Sequence, residues 1–378
     1  MTRRLLVWGT FDTGKPRVRM LLQAIRTLDP EARVLHHFPW RGIEDKSQLS
    51  AAGWMRIGLR WIVAYPTLLW AFLRAPRHDV VLVPYPGLID VLLLWPLARL
   101  RGSRICWDMF ISAYDTAVLD RQMLSEQGLA ARIVKAVEWL ATRAADMVIL
   151  DTNSHADYIA ELYGLPAKKV RSVWVGVEDE LFQRAPNPPI PGPARVLFYG
   201  QFIPLHGLPV LIEAIDLIAQ HPGNQQMEFT IVGSGQEDTK IDRMIASRGL
   251  TDIRRIRWVE YEQLPALIAA SSICLGVFAP AGKAARVIPN KVFQILAVGR
   301  PLVTMDSPAI REIVSPGPAI RLVTPGDPAA LAQALIDLAS DLQHEAGALA
   351  LHRAANNDMP RAGNVCVTRQ LQQALEAA

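Results

Sequence analysis

Cysteine is scarce in this sequence: Cys106, Cys274 and Cys366 lie far apart, and no C-x-x-C pair occurs. This pattern excludes a disulfide framework and a cysteine-rich zinc site, and it is compatible with a reducing cytosol. Blocks of lysine and arginine are also lacking, and the formal net charge is only +4. The sequence therefore predicts no nucleic-acid partner.

Apolar runs long enough to span a membrane are lacking as well. The run from Trp61 to Leu73 is shorter than the roughly 20 residues that a spanning helix needs, and the run from Val80 to Ala98 is broken by prolines and Asp90. The N-terminus, MTRRLLVWGTF, is typical of a first strand and not of a signal peptide. We therefore predict no transmembrane helix and a cytoplasmic location.

The chain does have enough length and apolar content for two packed cores. Its 378 residues exceed the roughly 250 to 300 at which single domains stop growing, and 51% of them are hydrophobic. Short β-type runs such as RLLVWG and DVVLVPY alternate with amphipathic helical runs, and the alternation restarts at RVLFYG after the proline-rich stretch APNPPIPGPA. Repeated βαβ units indicate parallel sheets with helices on both faces.

The predicted fold class is α/β, with two Rossmann-like doubly wound domains facing a cleft. We predict an N-terminal acceptor-side domain over 1–184, a proline-rich linker over 185–194 and a C-terminal donor domain over 195–358. A C-terminal helix over 359–378 is expected to pack back on the N-terminal domain. Ligands of such sheets bind at the carboxyl ends of the strands, so the functional site is expected there.

Two glycine turns follow predicted strands of the second domain. In FYGQFIPLHG the strand ends at Gly200 and a helix begins after Gly207, which is a geometry that presents backbone N–H groups to an anion. In IVGSGQED, Gly233 and Gly235 follow a strand without the third glycine of a dinucleotide fingerprint. Each turn is interpreted as lining a nucleotide. The alternative is a glycine turn without a ligand for the first turn and a true NAD site for the second.

A third motif, KAARVIPNKVFQILAVGRP, places three cations around the start of a helix. Pro289 is suited to a helix start, and Gly299 and Pro301 end the helix. The concentration of Lys283, Arg286 and Lys291 near its positive end favours anion binding, with a solvated charged face as the alternative.

On these motifs the chain resembles the glycosyltransferases of family 4 (group 1), which have the GT-B fold. The segments FYGQFIPLHG, EYEQLPALIAASSICLGVF and IPNKVFQILAVGRPLVT carry the resemblance in the second domain, and GTFDTGKPRVRMLL and DMFISAYDTAVLDRQ resemble a bacterial surface-polysaccharide subgroup. The resemblance implies a retaining enzyme that moves a sugar from a nucleotide-diphosphate sugar to a glycan or polyprenyl-diphosphate-linked acceptor.

The donor motif departs from the family pattern at four positions. The family's diphosphate-binding Arg and Lys are replaced by Gln201 and His206, and its two glutamates by Arg286 and Gln294. We expect Gln294 to accept from the ribose and the cations of the third motif to compensate for the lost charge. The backbone of the helix start is expected to contact the donor, a set that comprises Ile288, Pro289, Asn290 and Lys291.

The first domain adds two loops to the predicted site. Gly14, Arg17 and Arg19 follow the first strand and are expected to meet the diphosphate, with an ordinary surface loop as the alternative. Asp108 and Asp115 are expected to orient the acceptor or to act as base, with Ser112 as a further candidate; helix capping by Asp115 is the alternative. Arg286 and Lys291 complete the predicted catalytic set.

No metal or other cofactor is expected, because cations and a helix dipole would stabilise the departing diphosphate. The segment from Trp54 to Trp107 is rich in tryptophan and arginine, which is typical of a surface that lies on anionic headgroups. It predicts peripheral contact with the cytoplasmic face of the inner membrane, with core helices as the alternative. Two other functions stay open: a nonhydrolysing sugar-nucleotide epimerase and a non-catalytic partner in glycan assembly.

Overall fold

The structure is a computed structural model that describes residues 3–38, 51–221 and 227–377. The chain forms two compact units. The first comprises Met1–Val175 together with Asn364–Ala378, and the second comprises Gly176–Gly363.

Within the described ranges, the first unit has a six-stranded parallel sheet in the order β2-β1-β3-β4-β5-β6. Its strands are β1 (Leu5–Gly9), β2 (Arg33–His36), β3 (Val80–Val83), β4 (Arg104–Phe110), β5 (Met147–Leu150) and β6 (Val170–Ser172). Its helices are α1 (Pro16–Leu28), α2 (Ala51–Arg74), α3 (Leu88–Arg101), α4 (Leu129–Ala144), α5 (Asn153–Tyr163) and, from the end of the chain, α12 (Asn364–Ala377).

The second unit repeats this architecture with strand order β12-β11-β10-β7-β8-β9, all neighbours being parallel. Its strands are β7 (Ala194–Tyr199), β8 (Met227–Val232), β9 (Ile253–Ile256), β10 (Ile273–Leu275), β11 (Leu302–Met305) and β12 (Ile320–Val323). Its helices are α6 (Leu208–Ala219), α7 (Asp238–Ser247), α8 (Leu264–Ala270), α9 (Asn290–Val298), α10 (Pro328–Leu342) and α11 (Glu345–Asp358).

The continuous apolar strands account for the layered cores, because a strand covered on both faces needs no polar alternation. In β3 (VVLV) all four residues are buried; Val81 and Val83 face the helices α2 to α5, and Val80 and Leu82 face α1 and α12. The predicted α/β class with two doubly wound sheets is confirmed.

The unit boundaries differ from the predicted ones, because residues that follow Gly176 bind the second unit. The Arg184 side chain donates to the carbonyls of Leu296 (2.6 Å) and Met359 (3.2 Å), and the Ala185 N–H donates to Val298 (2.8 Å). The first unit therefore ends at Val175 and not at 184, and the proline-rich stretch 185–194 lies inside the second unit. The second unit extends to Gly363, and the last helix of the first unit begins at Asn364 and not at 359.

The first apolar run, from Trp61 to Leu73, lies in α2, and the second, from Val80 to Ala98, contains β3 and most of α3. None of the described helices, α2 included, is both long and apolar enough to cross a bilayer. Trp107 is 1% exposed and packs in the core, so the predicted membrane segment does not extend to it. The side chains of Trp54 and Arg56 lie outside what the structure describes.

Candidate functional site

Three segments of the second unit meet at the end of β7: the turn from Gly200 to Gly207, the loop after β8 and the start of α9. Gly200 (φ 141°) follows the strand, and Gly207 (φ 66°) precedes α6. The loop after β8 packs against this turn, since the Phe202 N–H donates to the Ser234 carbonyl at 2.9 Å. A Cβ on Gly233 would lie 1.9 Å from the Gly200 carbonyl oxygen, so only glycine allows the two backbones to approach this closely.

Lys291, in the first turn of α9, is buried beside Gly200. Its side chain is 5% exposed, its Nζ donates to the Gly276 carbonyl at 3.2 Å, and it lies 3.7 Å from the centroid of the Phe198 ring. A Cβ on Gly200 would lie 3.3 Å from Lys291 Nζ and 2.9 Å from His206 Cε1. Both basic side chains therefore lie against Gly200.

Burial shifts the pKa values of both basic side chains downward. Burial lowers the pKa of Lys291 well below its ordinary value. Burial, reinforced by Lys291, lowers the pKa of His206 well below its ordinary value. His206 Nδ1 faces the Gln201 carbonyl, which places the proton of the neutral ring on Nδ1 and leaves Nε2 without it. A diphosphate entering here would restore the charge on both groups.

Gln294 lies one turn further along α9 and is part of a buried hydrogen-bond chain. Its Oε1 accepts from Tyr199 Oη at 2.9 Å, and its Nε2 donates to Tyr261 Oη at 3.3 Å; Tyr261 in turn donates to Glu178 at 2.6 Å. The amide oxygen that was expected to accept from ribose therefore already has one donor. Sequence reasoning missed Tyr199, Tyr261 and Glu178, although Tyr199 and Tyr261 both lie in segments that carried the family resemblance.

The other residues that were predicted to bind the donor differ in solvent exposure. Lys283 and Arg286 bracket a short 3-10 turn and are partly exposed, as is Asn290, and Gln201 is exposed. The Ile288 side chain is only 2% exposed and belongs to the core, and the donor contact expected of its backbone stays a prediction. Pro289 occupies the N-cap position of α9 and has no N–H, so it cannot donate as predicted.

In the first unit, Arg17 and Asp108 form a buried ion pair. Arg17 Nη2 lies 2.7 Å from Asp108 Oδ1 and Arg17 Nε 3.1 Å from the same oxygen, while the two side chains are 2% and 0% exposed. Burial raises the pKa of Asp108, and the Arg17 guanidinium opposes that shift. The pair joins α1 to β4, so this arrangement differs from the predicted roles of Arg17 at the diphosphate and Asp108 as base.

The turn from Asp12 to Lys15 before α1 is more accessible. Gly14 is exposed, and its N–H donates to Asp12 Oδ1 at 2.9 Å. Arg19 closes the same turn by donating to the Gly14 carbonyl at 2.6 Å. The predicted loop therefore reaches solvent at Gly14 and not at Arg17.

Asp115 is also buried, at 0% exposure, and begins a one-turn π-helix over Asp115–Asp120. The side chain that caps this turn is Ser112, whose Oγ accepts from the Asp115 N–H at 3.0 Å, so capping by Asp115 is wrong. Glu138 holds the segment from α4 by accepting from Ser112 Oγ (2.8 Å), the Ala113 N–H (2.6 Å) and Tyr163 Oη (2.5 Å). Sequence reasoning missed Glu138, because a lone glutamate in an amphipathic helix gives no signal.

A second buried carboxylate, Asp90, holds the loop after β1. Asp90 Oδ1 accepts from the Thr10 N–H at 3.0 Å, and Oδ2 accepts from Thr10 Oγ1 at 2.9 Å. Burial raises the pKa of Asp90 to about 6, although the hydrogen bonds from Thr10 oppose this shift. This carboxylate fixes the start of the loop that leads to Gly14.

The two parallel six-stranded sheets define the class of protein: the fold is that of the GT-B glycosyltransferases. The crystal structure of HepE from Anabaena in complex with UDP-glucose superposes on this chain with a TM-score of 0.68, covering 100% of both chains at 16% sequence identity. At this identity the likeness concerns the fold.

The second unit is similar to a known family. Residues 193–341 match the family model described as "Glycosyl transferases group 1", which confirms the resemblance stated from the motifs. The amylovoran biosynthesis glycosyltransferase AmsK of Erwinia amylovora is 28% identical over 177 residues, which are 46% of this chain and 43% of AmsK. The putative colanic acid biosynthesis glycosyl transferase WcaI of Escherichia coli (strain K12) is 34% identical over 104 residues, 28% of this chain and 24% of WcaI. The matches thus span less than half the length of these curated relatives.

Proposed function

We propose that this protein is a retaining glycosyltransferase that transfers a sugar from a nucleotide-diphosphate sugar to a glycan acceptor in bacterial surface polysaccharide synthesis. The observation that carries the proposal is that His206 and Lys291, the latter at the start of α9, both lie against Gly200. The polysaccharide-synthesis names of AmsK and WcaI support the glycan product, and the HepE complex supports UDP-glucose as the first donor to test.

The donor diphosphate would bind where the two buried bases and the helix N-terminus meet. Protonated Lys291 would supply a full positive charge, and His206 would donate from Nε2 while Nδ1 stays on the Gln201 carbonyl. The backbone N–H groups of Asn290 and Lys291 add the partial charge of the helix start. Arg286 and Lys283 are proposed to contact the donor from the adjoining turn.

The transfer step would depend on charge and position. These groups stabilise the departing diphosphate as its C1–O bond breaks, and the acceptor hydroxyl attacks C1 on the face that the diphosphate leaves. The hydroxyl proton passes to a phosphate oxygen, so the anomeric configuration is retained without a covalent enzyme intermediate. In this proposal Lys291 and the helix start take the place of a metal ion.

The acceptor is proposed to be polyprenyl-diphosphate-linked and to be reached at the cytoplasmic face of the inner membrane. The helices α2 and α3 support this, because their exposed surfaces combine apolar side chains with arginines. Within the first unit, the turn at Gly14 and the Ser112–Asp115 segment held by Glu138 are the proposed acceptor-side loops.

A non-catalytic role in glycan assembly is the second candidate. The observation that favours it is that Gln201 and His206 replace both family cations while burial lowers the pKa values of His206 and Lys291. Such a protein would bind a nucleotide sugar weakly and would not turn it over.

The test is a transfer assay with purified protein. UDP, GDP, CDP and ADP sugars are offered with a short-chain polyprenyl-diphosphate-linked sugar, and the released nucleotide and the lipid product are both quantified. We expect one base to support transfer, with the donor's anomeric configuration kept in the product by NMR. Nucleotide-sugar binding without any transfer would favour the non-catalytic role, and C2 inversion of the free donor sugar would favour the epimerase.

A further inference from the structure

The outer side of α2 is a continuous apolar stripe. Its exposed members recur every three or four residues, which places them on one side of the helix, while Leu68 and Phe72 on the other side are buried in the core. The exposed apolar side chains are Met55 (68%), Leu59 (57%), Ile62 (68%), Val63 (68%), Trp70 (56%) and Leu73 (50%). Such a long exposed apolar surface marks a contact site.

The helices α2, α3 and α4 share a sequence pattern. A tryptophan is followed four residues later by an arginine in α2 (Trp70-Ala-Phe-Leu-Arg74), in α3 (Trp95-Pro-Leu-Ala-Arg99) and in α4 (Trp139-Leu-Ala-Thr-Arg143). These tryptophans are 56%, 42% and 42% exposed. The guanidinium carbons of Arg74 and Arg143 lie 3.9 Å and 3.8 Å from the ring centroids of Trp70 and Trp139.

The charge that these helices present to solvent is positive. Their sequences contain two carboxylates, Asp90 and Glu138, which are 2% and 1% exposed and hold backbone inside the unit. Their exposed charged side chains are basic, namely Arg74, Arg99, Arg132, Lys135 and Arg143. Of these, Arg99 also pairs with Asp146 at 3.3 Å. The face combines apolar surface, tryptophans and positive charge.

We propose that this surface, termed the tryptophan face and defined by the outer sides of α2, α3 and α4, docks on an anionic phospholipid bilayer with the helices in the plane of the interface. Tryptophan is favoured at the level of the headgroups, and basic side chains near an anionic surface each add about 1 kcal/mol. The proposal deepens the membrane contact proposed above and adds α4, which the sequence analysis did not include.

Charge argues against a second copy of this chain as the occupant. A two-fold interface brings the same surface patch of two copies together. Since the exposed charges of the tryptophan face are of one sign, two such faces would juxtapose arginines without carboxylates to pair them. Anionic headgroups supply the missing negative charge wherever the protein lies on the bilayer surface.

The test is flotation of the full-length protein with vesicles of phosphatidylcholine alone or with about one third phosphatidylglycerol, at low and high salt. We expect binding to the anionic vesicles that weakens with salt. Trp70→Ser and Trp139→Ser should each lower the partition coefficient about tenfold, which corresponds to about 1.4 kcal/mol. Arg74→Gln and Arg143→Gln should each lower it about fivefold and reduce the salt dependence.

Trp258→Ser is the matched control, because Trp258 is 74% exposed and lies in the second unit. It should leave flotation unchanged, and circular dichroism verifies that all variants are folded. Wild-type protein that stays unbound at low salt, or tryptophan variants that float like wild type, would overturn the proposal. So would self-association, by analytical ultracentrifugation, that the same variants abolish while no flotation occurs.

The two proposals fail separately. Protein that floats as expected but transfers no sugar contradicts the proposed function alone. Protein that transfers sugar to a detergent-solubilised acceptor but does not float contradicts the bilayer inference alone.

Discussion

His206 and Lys291 both lie against Gly200: a Cβ at that glycine would be 2.9 Å from His206 Cε1 and 3.3 Å from Lys291 Nζ. Burial disfavours the charged form of both bases, whereas a nearby anion favours it. A diphosphate bound here would therefore raise the pKa of both groups. This coupling between proton and anion has measurable consequences.

Binding of a nucleoside diphosphate should take up protons. Burial lowers the pKa of both His206 and Lys291 in the empty site, and a bound diphosphate raises both pKa values. The affinity for the nucleoside diphosphate should therefore rise as pH falls, by up to about tenfold per pH unit for each proton taken up. The rise should occur between the pKa that each group has in the complex and the lower pKa that it has in the free protein. Isothermal titration calorimetry with UDP in buffers of different ionisation enthalpy measures the uptake. Equal heats in all buffers and a flat pH profile would contradict the coupling.

Removing the buried base should stabilise the protein. In Lys291→Met, the buried amine is replaced by an apolar side chain of similar length, so the free energy of unfolding near pH 7 should rise by about 1 kcal/mol. Because the unfolded wild type binds a proton that the folded protein lacks, wild-type stability should increase with pH up to about 10.4. The difference in the free energy of unfolding between Lys291→Met and wild type should shrink over the same range. Urea unfolding across pH measures this.

Lys240→Met is the control for that change, because Lys240 is exposed in the same unit. Its free energy of unfolding should stay within about 0.5 kcal/mol of wild type at every pH. A Lys291→Met variant that is less stable than wild type near pH 7 would mean that the Lys291 amine is charged in the folded protein and that neighbouring groups stabilise this charge.

Breaking the Arg17–Asp108 pair should destabilise the first unit. Arg17→Met leaves the Asp108 carboxylate buried without its cation, at a loss of about 3 to 5 kcal/mol in the free energy of unfolding. Arg311→Met removes the exposed pair with Asp306, which solvent screens, and should therefore lower the free energy of unfolding far less than Arg17→Met. Thermal and urea unfolding compare the two variants. Loss of transfer activity in Arg17→Met with unchanged stability would instead place Arg17 at the ligand.

Asp90 should give the stability a pH dependence between about pH 4 and pH 6. Burial raises its folded-state pKa to about 6, so the protonated form of Asp90 stabilises the folded protein. This stabilisation is complete below the pKa of the unfolded state and is lost as pH rises through 6. Asp90→Asn should remove this slope, so the wild-type minus variant difference in unfolding free energy should fall with rising pH across that window. The exposed Asp79→Asn variant is the control, and a constant wild-type minus Asp90→Asn difference would contradict the shifted pKa.

The sequence predicted the two sheets well, because buried parallel strands such as VVLV and MVIL are apolar throughout and alternate with amphipathic helices. It placed the domain boundary at the prolines 185–194, where composition changes most. The actual boundary at Gly176 depends on contacts such as Arg184 with Leu296, which no local pattern reveals.

The candidate site was predictable in part for a similar reason. Gly200, His206 and Lys291 stand in segments whose spacing marks loops at strand ends. Burial is not readable from spacing, so the sequence analysis did not predict that Arg17 and Asp108 form a buried ion pair. Tyr199, Tyr261 and Glu178, which fix Gln294, come from three distant parts of the chain.

The most direct test of the central claim is calorimetric titration of UDP into wild type, Lys291→Met and Lys240→Met at pH 6.5, where proton uptake favours binding. We predict that wild type and Lys240→Met bind UDP equally, while Lys291→Met, verified as folded, loses at least about tenfold in affinity. Equal affinity in all three proteins would contradict the assignment of Lys291 and the start of α9 as the diphosphate site.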